Sequence, residues 1–225
     1  MTPTDRSGAT PPSPRATVRR HPERAHYGLD TVHAILDEAI VSHVGFVVDG
    51  RPMVIPTLHA RIGDTLYIHG SAAGRMLTTL AAGAEVCVTA TLIDGLVLAR
   101  SAMHHSINYR SVMLFGPTRV VTDREEKLRA LEATVEHAVR GRSRDVRPPA
   151  EHELRATSVI ALAIDEASAK VRAGGVVEDP ADLALPVWAG VIPLSLTPGE
   201  PVTDDQGQVV PVPEYASSYR RSGTP

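Results

Sequence analysis

The segment of residues 69–75 combines the residue types that bind an anion. His69, Gly70, Ser71 and Arg75 stand at the junction between an apolar run and a run with helical spacing. Backbone N–H groups at a helix start, a hydroxyl and a guanidinium can together hold a phosphate, and glycine lets the backbone approach closely. The pattern predicts a phosphate-binding turn. The alternative is an ordinary strand-to-helix turn whose arginine is solvated.

Two prolines, Pro52 and Pro56, flank a second candidate segment. The N–H groups between them could face a ligand, and an apolar surface with a few backbone donors suits a flat heteroaromatic ring. The alternative is an edge strand that proline protects from further pairing. The candidate binding residues are Val54, Ile55, Pro56 and Thr57.

A third segment, residues 104–111, is dense in hydrogen-bonding side chains and precedes an apolar run. The adjacent residues His104 and His105 of this segment would point to opposite sides of an extended chain, so they are poorly placed to chelate one metal. If Gly63-Asp64 is a tight turn, His59 and His69 also lie on opposite faces. We therefore predict no metal site.

The cysteine content and the charge exclude several classes of protein. One cysteine, Cys87, allows no intramolecular disulfide and no cysteine-cluster zinc site, and its place in a β-like run predicts a buried, inert thiol. The net charge of −3 shows no basic excess for nucleic-acid binding. No apolar run approaches the roughly 20 residues of a membrane helix. With a mean hydropathy of −0.05, the sequence predicts a soluble, cytoplasmic protein.

Short strands and tight turns must position these segments. Predicted strands cover residues 44–48, 53–62, 65–69, 86–92, 96–99, 109–121 and 157–165. Hairpin turns are predicted at Asp49-Gly50, Gly63-Asp64 and Asp94-Gly95. Closely spaced hairpins favour an antiparallel sheet, and a small closed barrel would remove its edges. The fold class is therefore mainly β with α insertions, α+β.

Helices are predicted at three places between the strands. Asp30 is a good N-cap for the first, and residues 75–82 form the second. Thr122 and Glu125 form a capping box for the third. Its apolar face comprises Leu128, Leu131, Val135, Ala138 and Val139.

The chain divides into three parts. Residues 1–24 are rich in proline and poor in apolar residues, and we expect a disordered leader. Residues 25–173 form the barrel domain. Residues 174–225 form a Pro/Gly-rich tail, and the apolar residues around Trp188 are expected to pack it onto the barrel or onto a partner subunit.

The chain resembles the pyridoxamine 5′-phosphate oxidase-like flavin-binding proteins, in the branch that includes the nitroimidazole-resistance reductases. The segments that carry the resemblance, in their order along the chain, are residues 44–48, 52–56, 66–75 and 108–116. The resemblance spans about residues 21–195. It implies a split β-barrel of about six antiparallel strands, of Greek-key type with flanking helices. It also implies a homodimer with FMN in the cleft between subunits.

By position, the resemblance assigns the FMN phosphate to Ser71 and Arg75, and the isoalloxazine edge to the backbone of residues 54–57. It assigns the lining of the flavin cleft to Asn108, Tyr109, Arg110 and Ser111. The vitamin-converting oxidases carry an Arg-x-His-type motif where this chain has residues 172–175 without a histidine. That departure argues against pyridoxamine phosphate as the substrate.

The resulting prediction is an FMN-dependent oxidoreductase acting on a small organic substrate. His105 and Tyr109 are the candidates for proton transfer, because their side-chain types suit it. The alternatives are a non-catalytic flavin-binding or redox-sensing protein, or the same barrel holding haem or a deazaflavin. An absorption spectrum distinguishes these possibilities.

Overall fold

The computed structural model describes residues 10–204, 206–208 and 210–221. The strands are β1 (Ala25–His26), β2 (Val41–Val48), β3 (Arg51–Ile62), β4 (Thr65–Ser71), β5 (Glu85–Leu98), β6 (Ser106–Pro117), β7 (Arg119–Val120), β8 (Thr157–Ala163), β9 (Glu166–Arg172) and β10 (Gly190–Pro193). The α-helices are α1 (Leu29–Glu38), α2 (Arg75–Ala81), α3 (Arg124–Ala138), α4 (Glu151–Ala156) and α5 (Glu214–Ser217).

The strands form one ten-stranded sheet in the order β1-β9-β6-β5-β2-β3-β4-β8-β7, and β10 pairs with β5. Every pairing is antiparallel. β3 joins the two halves of the sheet, because residues 51–58 pair with β2 and residues 59–62 pair with β4. The α+β split-barrel prediction is confirmed. The expectation of a closed barrel is wrong, since β1 and β7 end the sheet without pairing with each other.

The core lies between the sheet halves and is closed by α1. Alternate residues of β2, such as Val44 and Phe46, point inward, and Ile35 and Leu36 of α1 are fully buried. Burial of such side chains is worth roughly 1.5–3 kcal/mol each. The core thus holds α1 against the strands, and it is built mainly of aliphatic side chains, as the low aromatic content predicts.

The β2–β3 hairpin is confirmed: Asp49 and Gly50 have φ values of +49° and +73°, in the left-handed region that a two-residue hairpin turn requires. The turn predicted at Asp94-Gly95 is wrong. β5 runs through both residues, and its register with β6 shifts between Ile93 and Gly95, which is a β-bulge. The reason is β10, which pairs alongside Gly95 and continues the sheet there.

Two predicted helix caps differ from the structure. Gly28, and not Asp30, is the N-cap of α1. Asp123, one residue after Thr122, caps α3, because its carboxylate accepts a hydrogen bond of 2.7 Å from the Glu126 N–H. Gly28 caps α1 without a side-chain hydrogen bond, whereas at α3 Asp123 takes the role predicted for its polar neighbour Thr122.

Both ends of the described chain contact the sheet. Arg15 donates to Glu85 and Glu166, and Ala16 is buried, so residues 10–24 differ from the expected disordered leader. Residues 1–9 of that leader lie outside the described residues. In the tail, β10 pairs with β5, and Trp188 is 65% exposed within one chain.

Within the described part of the chain, no helix has the length and apolar character required to cross a bilayer.

Candidate functional site

The predicted ring-binding strand has a free edge. β3 pairs with β2 through residues 51–58, but its pairing with β4 begins only at His59. Backbone groups of residues 53–57 on the other side are therefore open, except at Pro56, which has no N–H to donate. The side chains alternate: Val54 and Pro56 are exposed, whereas Ile55 and Thr57 are partly buried.

The predicted phosphate turn joins β4 to α2. Ser71 and Arg75 are exposed, and neither side chain forms a hydrogen bond or an ion pair with any described residue. A Cβ at Gly70 would lie 2.9 Å from Leu77 Cδ2, and a Cβ at Gly74 would lie 3.0 Å from the Ser71 carbonyl oxygen. The two glycines thus allow a tight turn. α2 itself has only seven residues.

Asn108 lies on β6 and holds the end of β9. Its Nδ2 donates to the Gly174 carbonyl at 3.0 Å, while its Oδ1 accepts from Arg172. Arg172 also donates to the Gly175 carbonyl at 3.0 Å. The residues that replace the Arg-x-His motif therefore form a hydrogen-bonded turn with Asn108.

Arg110 points to the α1 side of β6 and is already paired. Its Nη2 lies 2.8 Å from Glu38 Oε1 and 2.7 Å from Asp94 Oδ1, and its Nε lies 3.0 Å from Asp94 Oδ2. The hydrogen bonds from Glu38 and Asp94 raise the pKa of the guanidinium further above its usual range. The structure thus gives Arg110 two carboxylate partners within its own chain.

The remaining residues of this segment differ in exposure. The Nδ1–H of the exposed His105 donates to the Ser101 carbonyl oxygen at 3.0 Å. Tyr109 and Ser111 lie half-buried on β6, and the Ser111 hydroxyl donates weakly to the Lys170 carbonyl at 3.4 Å. Tyr109 is opposite Ile93 on β5 and Arg172 on β9, which places its side chain on the outer face of the sheet.

A single chain brings two of the three predicted segments near each other. β3 and β4 diverge beyond the His59–Ile68 pair, so residues 54–57 and 69–75 flank the opening between these strands. Residues 108–111 lie on β6, which is separated from β3 by β5 and β2. Three strand spacings amount to about 14 Å. Residues 108–111 therefore do not adjoin the other two segments within one chain.

The outer face of these central strands carries several exposed apolar side chains. By register, they are Val47, Val54, Ile93 and Met113, with exposures of 58%, 64%, 43% and 42%. The polar residues His43, Thr89 and Ser111 lie on the same face.

His69 lies away from the sheet face and lines a cavity of about 780 Å³. The cavity is bounded by α3, α4 and the connecting residues 143–149. Leu128, Leu131 and Val135, which the sequence predicted as the apolar face of α3, line it, while Ala130 and Thr134 are the fully buried residues of that helix. Burial lowers the pKa of His69, so its imidazole is neutral at pH 7.

A histidine pair beneath α1 was missed in the sequence. The rings of His59 and His137 are 4.6 Å apart, and Arg221 from the tail lies 2.9 Å from His137 Nε2. Burial, the His59 ring and the Arg221 charge lower the pKa of His137 to about 4. Nothing local signals this cluster, because its members are far apart in sequence.

The structure also bears on the predictions of no metal site and of an inert thiol at Cys87. His104, Asp179 and Asp182 bring one ligand atom each within 4.8 Å of one another, an arrangement that the sequence did not predict. Cys87 is half-buried on β5, and burial raises the pKa of its thiol, which agrees with an unreactive role.

Comparison with known proteins gives a consistent set of relatives. The family model described as pyridoxamine 5′-phosphate oxidase matches residues 29–171. The flavocytochrome Anf3 from Azotobacter vinelandii is 41% identical, with a TM-score of 0.87, over 93% of this chain and 98% of that chain. The FAD and haem binding protein from Mycobacterium smegmatis is 34% identical, with a TM-score of 0.83, over 88% and 98% of the two chains.

A 5-nitroimidazole antibiotic resistance protein from Bacteroides thetaiotaomicron VPI-5482 is 26% identical, with a TM-score of 0.55, over 65% of this chain and 86% of that chain. A search of curated proteins gave no match.

Proposed function

Because the chain belongs to the pyridoxamine 5′-phosphate oxidase family, we propose that it is a flavin-binding redox protein that acts as a homodimer. A bound flavin would supply hydride or electron transfer, and the protein would supply position, electrostatics and exclusion of water. The substrate is expected to be a small organic molecule.

The observation that carries this proposal is the β4–α2 turn. Ser71 and Arg75 are exposed there and have no partner among the described residues, while Gly70 and Gly74 allow the chain to turn tightly. A hydroxyl and an unpaired guanidinium at one turn suit a phosphate, which accepts charge-assisted hydrogen bonds. Ser71 and Arg75 would hold the flavin phosphate.

The free edge of β3 would meet the flavin ring. It lies across the opening from the β4–α2 turn, and it offers backbone donors beside the exposed side chain of Val54. A flat ring system with a polar edge suits this combination. The turn and the strand edge would then hold the two ends of the same ligand.

The distance between the candidate segments supports the proposed dimer. Residues 108–111 lie three strands from β3, and the outer face between them carries exposed apolar side chains. A second copy related by twofold symmetry would cover that surface and would bring its own 108–111 segment towards the flavin. Within that segment, Tyr109 and Ser111 are the residues on the outer face. His105 and Tyr109 remain the candidates for proton transfer.

A second function, haem binding, is favoured by the cavity beside His69. Solved structures 41% and 34% identical to this chain are of a flavocytochrome and of an FAD and haem binding protein. The cavity of about 780 Å³ lies within the size range of cofactor sites and has a histidine in its wall. A protein with both cofactors would pass electrons between flavin and haem.

The absorption spectrum of the purified protein tests both proposals. We expect two flavin bands in the near-ultraviolet and blue, and a Soret band from haem. Mass analysis of the released cofactor distinguishes FMN from FAD. A protein that shows no flavin band after saturation with either flavin would overturn the first proposal, and one that takes up no haemin would overturn the second.

A further inference from the structure

We infer that His69 is the iron ligand of a haem bound between α3, α4 and β4, and that no second side chain among the described residues around this cavity completes the coordination of the iron. This inference rests on the haem half of the proposed function.

The cavity has mainly apolar walls. Leu128, Leu131 and Val135 of α3 line it, together with Val146, Pro148 and Leu154. Such walls suit the apolar faces of a porphyrin, whose burial from water is favourable. The exposed Arg147, paired with Glu153 at 2.6 Å, lies on the solvent side, where carboxylate groups of a porphyrin would remain hydrated.

His69 has the properties of an unused ligand. Its Nδ1 atom is buried without a hydrogen-bond partner in the described part of the chain. No described residue forms a hydrogen bond with Nε2 of the same ring either. Leaving a buried polar atom unpaired is unfavourable, so such an atom calls for an explanation. A ligand bound in the cavity would explain why this ring is left free.

The neutral form of the ring suits this role. Burial lowers the pKa of His69, which keeps a nitrogen lone pair available near neutral pH. Histidine is the usual proximal ligand of haem in oxygen-binding and peroxidase proteins.

The remaining lining residues contain no second haem ligand. Of the described residues around the cavity, His69 is the only one of histidine, methionine, cysteine or tyrosine type; the other polar ones are Glu132, Thr134, Ser143, Arg147, Glu153 and Thr157. The iron would therefore keep one coordination position without a protein ligand. Such a site binds a small exogenous molecule, which a site with two protein ligands resists.

The test uses the full-length protein titrated with haemin and followed by its absorption spectrum. We expect about one haemin per chain, a high-spin ferric spectrum, and binding of cyanide to the ferric form and carbon monoxide to the ferrous form. In His69→Ala, the affinity for haemin should fall at least tenfold and the Soret band should shift. Added imidazole should restore the wild-type spectrum by occupying the vacated position.

Two further variants keep the test decisive. His104→Ala removes another histidine whose Nδ1 is buried and unpartnered but which lies outside the cavity, and it should leave the haem spectrum unchanged. Val135→Trp should block haemin uptake by filling the cavity without altering His69. Circular dichroism checks that each variant is folded.

These measurements test the assignment of His69 as the ligand separately from haem binding itself. Haem that is bound with a spectrum unaffected by His69→Ala would overturn the ligand assignment and leave haem binding in place. A low-spin wild-type spectrum that resists cyanide would overturn the open coordination position. A wild-type protein that takes up no haemin overturns the haem function itself, and the inference with it.

Discussion

Arg110 and Glu38 join the central sheet to the end of the first helix. Arg110 donates from both Nη atoms to the two carboxylate oxygens of Glu38, the last residue of α1, and the same guanidinium binds Asp94 at the β5 bulge. The side chains of Glu38, Arg110 and Asp94 are 15%, 29% and 35% exposed. One cation therefore links a helix, a strand and a bulge that are distant in sequence.

The first prediction concerns this ion pair. Arg110→Met leaves two carboxylates unpaired, so it should lower the free energy of unfolding by about 1–3 kcal/mol. This range lies between the cost of breaking an exposed ion pair and that of breaking a buried one. Urea denaturation measures the change. Adding Glu38→Gln to this variant should recover part of the loss. Unchanged stability together with a flavin potential lowered by tens of millivolts would instead assign Arg110 to the flavin, since about 30 mV in a two-electron couple corresponds to 1.4 kcal/mol.

The second prediction concerns the phosphate. Arg75→Ala should weaken FMN binding by about 1.5–3 kcal/mol, the usual worth of a charge-assisted hydrogen bond, and should leave riboflavin binding unchanged because riboflavin has no phosphate. Fluorescence titration measures both affinities. Arg51→Ala, an exposed arginine at the start of β3, is the matched control. Equal losses for FMN and riboflavin would show that Arg75 supports the fold and not the phosphate.

The third prediction concerns assembly. Sedimentation of the wild-type protein should give about twice the chain mass, with one flavin bound per chain. Val54→Asp places a charge on the exposed apolar face and should shift the protein towards monomer with weaker flavin binding, because a buried unpaired charge is unfavourable. Val202→Asp, at a position 95% exposed in the tail, is the control. A monomeric wild-type protein with tight flavin binding would contradict the shared site.

The fourth prediction concerns pH. The pKa of His137 is about 4 in the folded protein and near 6.5 in the unfolded chain, so the unfolded state binds the proton first. Stability is therefore full above about pH 6.5 and falls as the pH drops towards 4. With allowance for partial exposure, this group should contribute a loss of about 1–2 kcal/mol between pH 7 and pH 5.

The difference between wild type and His137→Gln isolates this contribution, because His59 and His69 also have lowered pKa values and act in the same direction. Urea denaturation of both proteins at pH 7 and pH 5 gives the comparison. If the two proteins lose the same stability between these pH values, His137 is not the group responsible.

Much of the architecture could be read from local chemistry. The Asp49-Gly50 turn and the Gly70–Gly74 spacing are determined by neighbouring residues, since positive φ values and close backbone approach depend on the residue itself. The order of the segments was sufficient for the resemblance to the family that the comparisons then showed. The start of α3 was displaced by one residue, because the adjacent polar residues Thr122 and Asp123 compete to cap the same turn.

The sequence alone therefore determined most of the long strands, most of the turns, the family and the types of residue at the β4–α2 turn. It did not predict β1, β9 or β10, and it divided β5 into two strands. Tertiary structure decided which of these residues meet. β10 pairs beside Gly95, where the sequence predicted a hairpin turn and the structure has a β-bulge. Arg110, which was expected at the flavin, is paired with Glu38 and Asp94. His69 lines a cavity formed with α3 and residues 143–149. The reason is physical: turns depend on the backbone preferences of adjacent residues, whereas ion pairs and cavities depend on contacts between segments far apart in sequence.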